Sequence, residues 1–162
     1  MLVAAAAKAA ARTPVVNSLA AKAERDELKL VADNDPTMAA AMAKARATLP
    51  KFLELAQSPR PGMEGFAVKV AIQGDCGAEY FWIYPFTYVQ GAFSGRLNNT
   101  PRSITHVKMG DQFTFSEGEI VDWMYMDRER MHGNYTARAM LKNASPEERA
   151  AFRKRFGLDP DF

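Results

Sequence analysis

A single cysteine, Cys76, stands in the 162-residue chain, so no disulfide can close within it. Histidine is almost as scarce, at two residues, which leaves too few soft ligands for a structural zinc site. Charge of either sign is not in excess: 21 Lys and Arg face 19 Asp and Glu, for a formal net charge of +2. Such a balance exerts little long-range pull on polyanions, so neither nucleic acid nor an acidic lipid surface is the expected partner. No apolar run approaches the roughly 20 residues that a membrane-spanning helix needs. The carboxylates of Asp111, Glu117, Glu119, Asp127 and Glu129 fall in turns but lack the spacing of a calcium loop. No cofactor and no metal are expected.

What is present is an ordinary core-forming composition, 48% hydrophobic and 25% charged, on a length that suits one domain. Residues 1–34 read as an alanine-rich helical or flexible extension. A secretory leader would place its charge before an unbroken apolar stretch, and Lys8 and Arg12 interrupt this one. The cytoplasm is therefore the expected compartment, with periplasmic export as the alternative. Residues 35–162 read as a single domain.

Asp35-Pro36 supplies an N-cap and a proline for a first helical turn. Met38, Met42, Ala45, Leu49, Phe52, Leu53 and Ala56 then recur at helical spacing, and Pro50 predicts a kink with a restart at Leu49-Pro50. Beyond Ser58-Pro59-Arg60-Pro61-Gly62 the period changes to two. Strands are expected around Phe66–Ile72, Glu79–Phe86, Gly91–Leu97, Ser103–Val107, Gln112–Phe115 and Glu119–Met126, with Met131–Tyr135 as a short strand or loop. Asn134 suits the cap of a helix to about Lys142. Ser145-Pro146-Glu147-Glu148 is a capping-box signature for a last helix, and Gly157 is placed as its stop. The order predicts an α+β fold: a strongly bent antiparallel sheet of about five to six short strands, with an N-terminal helix and C-terminal helices packed on it.

Several segments carry a resemblance. Asp122-Trp123-Met124-Tyr125 precedes Met131-His132-Gly133-Asn134-Tyr135-Thr136 and Arg138. Upstream lie Gly91-Ala92-Phe93-Ser94-Gly95, Asn99 with Pro101, and Gly110-Asp111. Together they resemble the bacterial YegJ-like family, domain of unknown function 2314, over about residues 35–157. The resemblance implies a portable bacterial domain and brings no catalytic residues with it.

Three functional readings follow. In the first, Asp122, His132 and Asn134 converge as the acid–base and oxyanion groups of a small hydrolase-like or transferase-like enzyme. No serine or cysteine nucleophile is placed beside them, and strand carboxylates commonly bond the amides of a neighbouring loop, so no catalytic set is expected. In the second, Trp82 and Trp123, with Tyr80, Tyr84 and Phe93, form a base-stacking surface for single-stranded nucleic acid, but only Lys69 and Arg96 are interleaved with them. The third is a non-enzymatic protein-binding module, of adaptor or toxin-neutralising type. Trp82, Phe93, Trp123, Tyr125, Met131 and Tyr135 are its candidate binding residues, and methionines 109, 124, 126 and 131 offer an adaptable surface. This third reading is the expectation taken forward, with a protein as partner.

Overall fold

The computed structural model describes residues 35–159; the extension assigned to residues 1–34 lies outside them. Helix α1 (Pro36–Gln57) opens as its sequence requires, with Asp35 Oδ1 accepting the Thr37 amide at 2.8 Å. The restart expected at Pro50 does not occur, and α1 is one unbroken helix of 22 residues. Its buried face runs through Ala45, Leu49, Phe52 and Leu53, so packing on both sides of Pro50 holds the two halves in line. Pro50 itself is exposed.

Six strands follow: β1 (Met63–Gly74), β2 (Gly77–Val89), β3 (Ala92–Leu97), β4 (Gln112–Phe115), β5 (Ile120–Asp127) and β6 (Arg130–Gly133). They form one open antiparallel sheet in the order β4-β3-β2-β1-β5-β6. Helices α2 (Tyr135–Leu141) and α3 (Pro146–Phe156) complete the fold. The α+β class is as read from the sequence.

The strand expected at Ser103–Val107 is not formed. Glu79 on β2 takes the amides of Arg102, Ser103 and Ile104 and the Ser103 hydroxyl, at 2.8–3.2 Å. Those amides are committed to a carboxylate and cannot build a ladder.

Strand alternation gives the sheet two unlike faces. One carries Val68, Val70, Ile72, Phe81, Ile83, Phe93, Leu97 and Trp123 in a single core with α1. On the other, Lys69 pairs across the ladder with Asp122 and with Trp82, and the start of α2 docks there. A smaller cluster of Ala137, Leu141, Phe152 and Leu158 ties α2 to α3. The capping box at Ser145 and Glu148 and the left-handed Gly157 (φ +66°) bound α3 as expected.

The ladder between the two central strands is irregular. The β1–β2 ladder runs only from Gly74–Gly77 to Val68–Ile83. Beyond it β1 follows β5 to Met63–Asp127, while β2 follows β3 to Val89–Ala92. Register shifts at Glu64/Ala67 and at Ile83/Phe86 flank the parting. The sheet therefore forks between its two central strands. Pro85, which follows a cis peptide bond from Tyr84, lies at this point on β2 and has no amide to offer a ladder.

Candidate binding cleft

The fork opens a cavity of about 360 Å³. Phe66 lines it from β1, Phe86 and Tyr88 from β2, and Leu53 and Ala56 from the last turns of α1. Phe66 and Phe86 stand on opposite arms, yet both rings rest on the fully buried Phe52, with centroids at 5.8 and 6.2 Å. Phe52 thus lies behind the cleft wall and holds both rings in place from α1. A second cavity of about 190 Å³ is lined by Ala67, Met124, Met126 and Met131. Tyr84 and Gly65 line both cavities, and Tyr84 is 45% exposed.

Asp122 does not meet His132. Asp122 is fully buried beside Lys69. Its Oδ2 accepts the Thr136 amide at 2.8 Å and the Thr136 hydroxyl at 2.6 Å, and its Oδ1 accepts the amides of Trp123 and Tyr135. Lys69 Nζ donates to the same Thr136 hydroxyl oxygen at 3.2 Å and lies 4.6 Å from the Trp82 ring centre. Burial pushes the Asp122 carboxyl up from its ordinary range, against the pull of Lys69 and the donors of Thr136 and Trp123. His132 is three strand positions away in register, opposite Tyr125, so it projects from the other face. It stacks on the Tyr125 ring at 4.8 Å and 4°. Burial, and then Arg130, hold its imidazole below the ordinary histidine value. The Asp122–His132 pairing weighed from the sequence is corrected on this geometry.

Asn134 occupies the cap position of α2 in a left-handed conformation (φ 51°), but its side chain makes no capping bond. Its amide nitrogen meets Met131 Sδ at 3.4 Å. Asp122, from a strand twelve residues earlier in the chain, does the capping instead, by taking the amides of Tyr135 and Thr136.

The candidate binding residues divide. Phe93 is fully buried, and Trp123, 7% exposed, stacks on Phe52 at 4.9 Å and donates its indole N–H to the Ala45 carbonyl. Both are core residues, because their strand positions face α1, and their placement on a binding surface is corrected. Tyr125 is buried but reaches the wall of the second cavity, where Met131 also lies. Trp82 is half-buried, with one cation already against its ring. Tyr135 packs edge-on against Trp123. A surface with both indoles free for base stacking is not formed.

Sequence reasoning named Tyr84 only for base stacking and missed that it gathers with Phe66, Phe86 and Tyr88. The available signal was Tyr84-Pro85-Phe86: a proline inside an aromatic strand marks a break in pairing. Among the described residues, no three His, Cys, Asp or Glu side chains gather in a metal-binding arrangement. No described helix is long and apolar enough to cross a membrane.

These features define an α+β domain with an open, forked antiparallel sheet. The chain belongs to the bacterial family of domain of unknown function 2314, described as "Uncharacterized protein conserved in bacteria", which matches residues 35–160. It is 32% identical over 111 residues to "Uncharacterized protein YegJ" of Escherichia coli (strain K12), covering 68% of this chain and 71% of that one. It is also 32% identical over 82 residues to a "Putative ankyrin repeat protein" of Neisseria meningitidis serogroup B, covering 50% of this chain and 32% of the relative. No solved structure matches the chain.

Proposed function

We propose that this domain is a non-enzymatic protein-binding module and that its contact site is the cleft at the sheet fork. The observation that carries this reading is the lining. Four aromatic residues, Phe66, Tyr84, Phe86 and Tyr88, converge on a concavity of about 360 Å³ beside a methionine-lined second hollow. Rigid aromatic anchors and adaptable thioethers are the residue types that binding surfaces favour. The acid–base groups weighed from the sequence are occupied elsewhere, with Asp122 capping α2 and His132 stacked on Tyr125. The relative described as a putative ankyrin repeat protein shares only a third of its length with this chain. The name of that relative suits an adaptor role, because stacked repeats form extended concave binding surfaces.

The test is capture of binding proteins from a bacterial lysate on the immobilised full chain, compared with the Tyr84→Arg and Tyr88→Arg variants. A partner retained by the native chain and lost from both folded variants supports the reading. A partner retained equally by all three moves the contact site away from the cleft. Failure of every chain to retain a protein counts against the module itself.

A further inference from the structure

We propose that the cleft at the fork takes a basic side chain, lysine or arginine, carried on an extended segment of the partner protein. This deepens the protein-binding reading and rests on it. The cavity has room for one long side chain together with part of the segment that carries it, and its walls are mostly apolar or aromatic. An aliphatic stem fits against Leu53, Ala56, Phe66 and Phe86.

Among the described residues, the charge in the cleft lining is negative. Glu64 is the lone charged side chain in the lining, it is exposed, and it has no salt bridge among the described residues. The end of α1 adds to this. Ala56 and Gln57 line the cavity within the last turn, where carbonyls carry the negative end of the helix dipole, and no basic residue occupies that turn to offset it. Arg60, four residues before Glu64, is not among the lining residues; its charge is felt at Tyr125, behind the Phe66 ring. Aromatic faces attract a cation as well, with tyrosine a better site than an aliphatic wall. An apolar stem ending in a positive group satisfies all of these features together. A carboxylate would meet Glu64 and the helix end unfavourably, and a purely apolar side chain would leave that field unused.

The probes are four capped heptapeptides of sequence Ser-Gly-Ala-X-Ala-Gly-Ser, with X as arginine, lysine, norleucine or glutamate, titrated into the full chain and followed by amide chemical shifts. The arginine and lysine peptides should shift the resonances of Phe66, Tyr84, Phe86 and Tyr88, bind about two- to fivefold more tightly than norleucine, and weaken as salt is added. Glu64→Gln should remove most of that preference without changing norleucine binding. Tyr84→Leu, which keeps bulk but removes a ring, should lower affinity for the basic peptides alone. Equal binding of norleucine and arginine, tighter binding of glutamate, or shifts confined to another surface would overturn the proposal. Butylguanidinium serves as the control for the underlying reading. If it binds as tightly as the arginine peptide and no protein is captured from lysate, the basic preference stands but the protein-binding reading falls.

Discussion

Asp122 and Thr136 are joined twice over: one carboxylate oxygen accepts both the backbone amide and the hydroxyl of the threonine, at 2.8 and 2.6 Å. The pair fixes the start of α2 to the middle of β5. It also completes a buried chain of contacts, because the same hydroxyl oxygen accepts from Lys69, itself 2% exposed.

Replacing Asp122 by asparagine should therefore be costly. It removes the negative charge facing a buried ammonium and turns one acceptor into a donor aimed at other donors. A loss of about 3–5 kcal/mol is expected from urea unfolding. Adding Lys69→Met should recover about 1 kcal/mol or more relative to the sum of the single changes, because the stranded charge is then gone. Additive costs would show that Lys69 and Asp122 are not coupled.

Glu79 gives stability a dependence on acid. Burial raises its carboxyl, but the bonds from Ser103, Arg102 and Ile104 outweigh that, and the group sits below its ordinary 4.5. A depressed acid contributes stability that is full above the unfolded value and fades as pH falls toward the folded one. The native chain should lose stability below about pH 4.5 more steeply than Glu79→Gln. Amide exchange in residues 102–104 should rise in the variant at neutral pH.

His132 should titrate below the ordinary 6.5, since burial and Arg130 both disfavour its cation. For a base depressed in this way, folding is undisturbed above 6.5 and weakens as pH drops beneath it, where the unfolded chain takes up the proton first. An NMR titration of the imidazole checks the direction, and Arg130→Gln should move it upward.

Gly133 and Gly91 both have positive φ, at +74° and +84°, but their surroundings differ. A Cβ at Gly133 would lie 2.2 Å from the Trp123 carbonyl oxygen, whereas at Gly91 it would meet nothing within 4 Å. Gly91→Ala should cost about 1–2 kcal/mol for its backbone alone. Gly133→Ala should cost more than about 3 kcal/mol, because β5 and β6 must also separate. Equal costs in thermal unfolding would show that the close approach is relieved freely.

The sequence by itself determined most of the local structure. The Asp35 and Ser145 caps, the Gly157 stop and the alternation of Phe66, Val68, Val70 and Ile72 along β1 depend on a few neighbouring residues, so spacing and residue type suffice to reveal them, whereas the bulge that parts Ile120 from Val121 on β5 does not show in the sequence. It also identified Asn134 as the residue before a helix, though not that Asp122 supplies the cap, since that bond spans the sheet. Pro50 misled in the same way: its local tendency to break α1 is overridden by a face that packs on both sides of it. The tertiary structure alone decided which aromatics are core and which line a cleft. Trp123 and Tyr88 are both strand aromatics, but one faces Phe52 beneath α1 and the other borders the place where β1 and β2 part. A ladder that ends early leaves no periodic mark in either strand, so the fork at Val68–Ile83 exists only in the pairing between them.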